Sequence, residues 1–176
     1  MIKKILTKPV VLIGMMGSGK STVGKKLARK LNLQFYDSDK VLEEREALSI
    51  VDIHDFMGER YFYQKEEEVI KEIIGYGVVI LSTGGSSFMN ENIRNYIKEK
   101  TISIWLDSNL ETIYERVSRR NTRPELIASD NKKELLAKML KDREPIFKEA
   151  DIKIESDLEA HHLVSSIIEK LDAFQK

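Results

Sequence analysis

The chain has 176 residues, with 29 Lys and Arg against 29 Asp and Glu for a formal net charge of zero; 41% of the residues are hydrophobic and 33% charged. This length suits a single folded domain, the even balance of charge weighs against a basic nucleic-acid binder, and the composition weighs against a disordered chain. No cysteine is present, which excludes disulfide frameworks, thiolate metal sites and cysteine nucleophiles and fits a reducing compartment.

The first predicted strand is Val10–Ile13. With Met15 and Met16 it forms the longest apolar run, far short of the ~20 residues of a membrane span, and no small-residue cleavage site follows it. A cytoplasmic protein without membrane association is therefore expected. The strand leads into Gly14-Met15-Met16-Gly17-Ser18-Gly19-Lys20-Ser21-Thr22, a full G-x-x-x-x-G-K-[ST] phosphate loop. Val23, Leu27 and Leu31 recur beyond it at helical spacing. Backbone N–H groups of Gly17, Ser18 and Gly19, with those of Lys20, Ser21 and Thr22 at a helix start, converge on phosphate oxygens. Lys20 adds a mobile cation, the Ser21 hydroxyl can ligate Mg²⁺, and ATP with Mg²⁺ is the expected cofactor pair. The two methionines read as loop packing.

A second strand, Phe35–Tyr36, ends at Asp37-Ser38-Asp39. Carboxylates two residues apart at the carboxyl end of a strand can divide the work beside Mg·ATP. One holds the metal's water shell while the other takes a proton from a substrate hydroxyl; an Asx-turn cap is the alternative for either. The run Glu66-Glu67-Glu68 reads as a mainly solvated helix face. The third strand, Val78–Leu81, is apolar throughout, as in a parallel sheet covered on both faces. Ser82-Thr83-Gly84-Gly85-Ser86-Ser87 follows it, either as a pocket wall where glycines let backbone approach a ligand or as a plain turn.

After a fourth strand at Ile102–Leu106, the residues Leu110, Ile113, Tyr114 and Val117 mark an amphipathic helix. The segment from Thr112 to Arg123 carries Arg116, Arg119, Arg120 and Arg123 against Glu115 alone, and Pro124 is expected to stop the helix there and favour a loop. An arginine-rich loop suits a lid over a triphosphate, although Arg119 and Arg120 fit a solvated face better. A helix over Lys132–Arg143 places Arg143 on the stripe of Leu136 and Leu140, as a buried ion pair or, preferably, a ligand-facing cation. A fifth strand at Ile152–Ile154 and a helix over Ala160–Ala173 complete an α/β pattern. His54, His161 and His162 show no metal-ligand spacing and read as structural or surface residues. No Asn-Lys-x-Asp guanine element is present.

Taken together, these motifs resemble the shikimate kinase family over nearly the whole chain. The loop at 17–22, the pair Asp37 and Asp39, Gly58-Glu59, Thr83-Gly84-Gly85, Arg123-Pro124 and Arg143-Glu144-Pro145-Ile146-Phe147 arrive in family order and spacing. The resemblance implies a P-loop NTPase-type three-layer sandwich, with a five-stranded mainly parallel sheet and helices on both faces. Residues 1–176 would be one kinase domain, with a substrate-binding helical segment at about 39–74 and a lid at about 116–130. It implies transfer of the ATP γ-phosphoryl group to the 3-hydroxyl of shikimate, in aromatic amino-acid synthesis, by a monomer.

Carried over by position, Lys20, Asp39 and Arg123 are the catalytic set. Ser21 binds Mg²⁺ and Asp37 assists through its water. Arg116 stacks on adenine, Arg123 reaches the phosphates, Gly84 and Gly85 line the substrate pocket, and Arg143 pairs with the substrate carboxylate. One departure stands out: the family's G-E-x-x-F-R-x-x-E becomes Gly58-Glu59-Arg60-Tyr61-Phe62-Tyr63-Gln64-Lys65-Glu66. Tyr63 replaces a carboxylate-binding arginine, a loss of roughly 10- to 150-fold in affinity unless something compensates. Arg60 or the Tyr63 hydroxyl is the expected compensation, with simple packing of Tyr63 on Phe62 and Ile70 as the alternative. Ser86 in place of a third glycine and Glu125 in the lid are smaller departures. Two other readings follow: a same-fold kinase of a different small polyol, and a catalytically weak nucleotide-dependent binding or regulatory protein.

Overall fold

β-branched residues make up three of the four positions of β1, Val10–Ile13, and all four are fully buried, as a strand covered on both faces requires. The computed structural model describes residues 6–119, 124–157 and 159–174. From β1 the chain enters α1, Lys20–Leu31, which closes on Asn32 in the left-handed region at φ 55°. It continues through β2, Phe35–Asp37, and α2, Ser38–Glu46. Next come a short helix α3, Ile50–Asp52, capped by the Ser49 hydroxyl, and a π-helical turn, Ile53–Met57. The long helix α4, Glu59–Gly75, precedes β3, Ile80–Ser82, and a 3₁₀ turn at Ser87–Met89. Then follow α5, Glu91–Lys100, β4, Ile102–Asp107, and α6, Leu110–Ser118. The chain ends with α7, Pro124–Ile127, α8, Lys132–Phe147, β5, Ile152–Glu155, and α9, Ala160–Phe174.

The strands form one sheet in the order β2-β3-β1-β4-β5, with every pairing parallel. The period-two alternation of a strand divides its side chains between two cores. Val11, Ile13, Leu81 and Trp105 face α2, α4, α5, α6 and α8; Val10, Leu12, Ile80, Ile104 and Ile154 face α1 and α9. This is the expected three-layer sandwich.

Three local expectations change. The strand anticipated at 78–81 pairs instead over Ile80–Ser82, although Val79 is buried and its carbonyl accepts from Val10 N–H at 2.9 Å. Pro124 begins a helix where a loop was expected, because proline suits the first helical position, where its missing N–H is not needed. Helix α8 runs past Arg143 and through Pro145 to Phe147. The ring of Phe147 is buried between Phe88 at 6.5 Å and Trp105 at 5.8 Å, and this packing outweighs the hydrogen bond proline removes.

Helices α2 and α4 are clipped together by Arg45, whose Nη1 and Nη2 each donate to Glu72 at 2.8 Å. Tyr76 Oη also donates to Glu72, at 2.5 Å. The Arg45 fork, with help from Tyr76, holds the Glu72 carboxyl down at about 2. A group depressed in the folded state stabilises above its unfolded value near 4.5 and loses that contribution as the pH falls toward 2. Glu72→Gln should therefore lower the melting temperature by no more than ~2 °C at pH 7, as fits an exposed pair. The gap between the two proteins should begin to narrow below about pH 4.5 and close only as the pH falls through about 2.

Candidate active site

The loop between β1 and α1 turns back on itself. Gly17 adopts φ 77°, and a Cβ there would sit 2.9 Å from Val117 Cγ1, so only glycine lets the loop lie against α6. Ser18 N–H donates to the Met15 carbonyl at 3.2 Å, and its hydroxyl is fully buried. Ser18 thus shapes the loop from inside. Lys20 is 7% exposed, and its Nζ donates to the carbonyls of Gly14 and Met15, both at 2.8 Å. The bonds to these loop carbonyls fix a cation at the mouth of a cavity of about 480 Å³, lined by residues 16–23 together with Asp37, Asp39 and Thr83. Met15 and Met16 pack inside the core as expected.

Pairing of β2 with β3 and of β3 with β1 puts Asp37, Ser82 and Leu12 in one register row. Ser21 at the start of α1 meets that row. Its Oγ donates to Asp37 Oδ2 at 2.5 Å and lies 3.4 Å from Ser82 Oγ. Asp37 also caps α2, with Oδ1 accepting from Lys40 N–H at 3.4 Å. The metal-site and helix-cap readings of Asp37 are thus compatible, one oxygen serving each. A hydroxyl and a single carboxylate oxygen are hard donors that suit Mg²⁺, which completes its sphere with phosphates and water. Among the described residues no cluster of three or more acidic or histidine side chains forms a separate protein-only cage.

Asp39, 9% exposed in the first turn of α2, reaches the glycine loop after β3. A Cβ on Gly84 would lie 2.8 Å from Glu66 Oε1 and 2.9 Å from both Asp39 Oδ1 and Ser87 Oγ. Glu66 is therefore no solvated residue. It is 2% exposed, and its Oε1 accepts from Ser87 Oγ at 2.5 Å. The sequence carried the signal: Phe62, Glu66, Val69, Ile70 and Ile73 share one helical stripe, the same placement that singled out Arg143. Gly85 lies against Met16, its virtual Cβ 2.8 Å from the Met16 nitrogen. From α8, the Arg143 Nη1 donates to the Gly85 carbonyl at 3.2 Å and stands 3.9 Å from the Met15 sulfur.

On the nucleotide side, Arg116 Nη1 donates to the Gly17 carbonyl at 3.0 Å. Arg119, Leu126, Ser156, Ala160 and Leu163 extend the cavity wall beyond it. Arg119 is exposed, as a solvated cation should be, and also borders the cavity; the wall formed by Ser156, Ala160 and Leu163 was not anticipated. Arg123 lies outside the described residues. Tyr63 is half-buried, and its hydroxyl donates to Glu59 Oε1 at 3.0 Å; Arg60 is exposed.

This site geometry coincides with a family match. The family model described as Shikimate kinase matches residues 16–172. A shikimate kinase of Rhodopseudomonas palustris is 44% identical over 149 residues, 85% of this chain and 73% of the relative. One of Bartonella henselae is 37% identical over 98% of this chain and 84% of its own length. Among solved structures, the shikimate kinase of Acinetobacter baumannii in complex with shikimate is similar at a TM-score of 0.91 and 31% identity, covering 95% of this chain and 94% of that one. A gluconokinase of Sinorhizobium meliloti, at 16% identity, 97% and 98% coverage and a TM-score of 0.58, shares the fold alone. A family match that runs through the phosphate loop, the Asp37–Asp39 turn, the glycine loop and Arg143 leads to one conclusion: the chain belongs to the shikimate kinase family.

Proposed function

We propose that this protein is an ATP-dependent shikimate kinase, transferring the γ-phosphoryl group to the 3-hydroxyl of shikimate. The observation that carries the reading is the convergence of the phosphate loop, Asp39 and the Arg143-bonded glycine loop on neighbouring walls of one crevice. The solved relative bound to shikimate supports it from outside.

Shikimate lies on the glycine loop, with its carboxylate toward Arg143 and its hydroxyl toward Asp39. The Asp39 carboxylate accepts the hydroxyl proton as the oxygen forms a bond to the γ-phosphorus, and the bond to the bridging oxygen breaks to release ADP. Lys20 donates to the phosphate oxygens from the loop, replacing carbonyl contacts with anionic ones. Ser21 and Asp37 would hold Mg²⁺, which supplies charge neutralisation on the β- and γ-phosphates. Arg116 covers the nucleotide, and Arg123 is the lid cation over the transferring group.

The whole chain acts as one kinase domain, with residues 39–74 forming the acceptor side and 116–130 the lid. The enzyme works as a cytoplasmic monomer whose partners are ATP and shikimate. Among the described residues no helix is long and apolar enough to cross a membrane.

Measuring ADP release from Mg·ATP with shikimate, quinate, gluconate or no acceptor should show turnover only with shikimate. Turnover confined to another polyol would favour the altered-acceptor reading that Tyr63 motivates, and tight ATP binding without turnover would favour a binding protein. Asp39→Asn should lower kcat by ~10²–10⁴-fold while ATP affinity measured by titration stays unchanged. Gly84→Ala forces a methyl against three oxygens and should raise KM for shikimate at least ~10-fold, with KM for ATP little altered.

A further inference from the structure

We infer that Met15 is a positioning residue for the acceptor site, its thioether sulfur setting the aim of the Arg143 guanidinium. The inference rests on the shikimate kinase reading and gives a side chain of the phosphate loop a role beyond packing.

Arg143 stands at a seam between two loops. Gly85 of the glycine loop presses on the phosphate loop so closely that a Cβ on it would lie 2.8 Å from the Met16 nitrogen. From α8 the half-buried Arg143 reaches both sides of that contact with one nitrogen. Its Nη1 donates to the Gly85 carbonyl at 3.2 Å and stands 3.9 Å from the Met15 sulfur. A guanidinium presents its N–H groups as a planar fork of fixed geometry, and a thioether is a weak acceptor for one of them. The carbonyl on the glycine loop defines a pivot at Nη1, and the sulfur on the phosphate loop defines the angle about it. Together they set the plane in which the fork meets an acceptor carboxylate.

Methionine is a flexible side chain, so its sulfur can direct Arg143 only where the residue itself is held. Met15 meets that condition at both ends. Its carbonyl accepts from Lys20 Nζ at 2.8 Å and from Ser18 N–H at 3.2 Å. Its side chain is 2% exposed, in the core shared with Phe88 and Phe147. Phe147 lies in the same helix as Arg143, one turn further on, so the thioether and the helix that carries the guanidinium are set by one body of packing. Through its carbonyl and its sulfur, Met15 joins the cation of the phosphate side to the cation of the acceptor side. Leucine has nearly the volume of methionine but offers no acceptor to an N–H, which separates the aiming role from the packing role.

The test uses the full chain, with kinetics for shikimate and for shikimate methyl ester, an acceptor without the charged carboxylate. Met15→Leu should raise KM for shikimate ~3- to 5-fold. The change should fall in KM rather than kcat, because a misaimed guanidinium holds the carboxylate equally poorly in the ground and transition states. The KM for the ester should be the same in both proteins. In an Arg143→Lys background, which keeps the charge but loses the fork, Met15→Leu should have no further effect, the mark of a coupled pair in a double-mutant cycle. Met15→Ile takes the place of leucine if the melting temperature shows that leucine disturbs folding. An unchanged KM for shikimate, an equal rise for acid and ester, or the same rise in the Arg143→Lys background overturns the assignment while leaving the kinase reading intact. Absence of shikimate turnover in the unaltered chain overturns that reading and this assignment with it.

Discussion

The active site depends on a single row of the parallel sheet, in which Leu12, Ser82 and Asp37 stand side by side across β1, β3 and β2. Parallel pairing makes each of these strands end at the same rim, so the three segments that follow them meet. The phosphate loop follows β1, the Asp37–Asp39 turn follows β2 and the glycine loop follows β3. Ser21 touching both Asp37 and Ser82 is the direct result. A one-residue slip of β2 would turn Asp37 to the other face of the sheet and break its hydrogen bond with Ser21 without altering a single side chain. β2 pairs only with β3, through Phe35 with Ile80, Tyr36 with Leu81 and Asp37 with Ser82, so the row rests on that one ladder.

Polar groups gathered at that rim are unusually buried for their kind. Lys20, Asp39 and Glu66 are each no more than 9% exposed, and charged groups withdrawn from water require partners. Backbone carbonyls serve Lys20 and a serine hydroxyl serves Glu66. The strong forks are placed elsewhere: Arg45 with Glu72 joins two helices on the outside, where water moderates the interaction. Zero net charge is thus an average over a surface of paired charges and a site of sorted ones.

How much of this was legible in the sequence follows from which forces are local. β1, α1, α6 and α9 were readable because their apolar spacing is long and regular. The phosphate loop was readable because glycine spacing encodes backbone geometry directly. The boundaries of β3 were not, because burial extends to Val79 while the ladder is set by its neighbours. Glu66 was hidden by its neighbours Glu67 and Glu68: a run of like charges suggests solvent, yet helical geometry turns the three onto different faces. His54, expected to be structural, packs its ring on Phe62, a contact across two elements that residue spacing alone does not reveal. Pro124 suggested a loop, but it opens a helix at the position where proline is tolerated.

Pro145 also shows how a distant packing contact sets the position of Arg143. Without Phe147 seated between Phe88 and Trp105, α8 would have little reason to continue past the residue before proline. Phe88 belongs to the 3₁₀ turn that closes the glycine loop, and Trp105 to β4. The aromatic stack therefore ties the end of α8, the glycine loop and the sheet into one body. Arg143, one turn before Phe147, inherits its position from that stack and locks it with a hydrogen bond to the Gly85 carbonyl. An arginine has many rotamers to lose, and a preorganised one holds a carboxylate at less entropic cost. The proposed hold of Arg143 on an acidic acceptor would draw on that rigidity, because the guanidinium is already fixed against the Gly85 carbonyl.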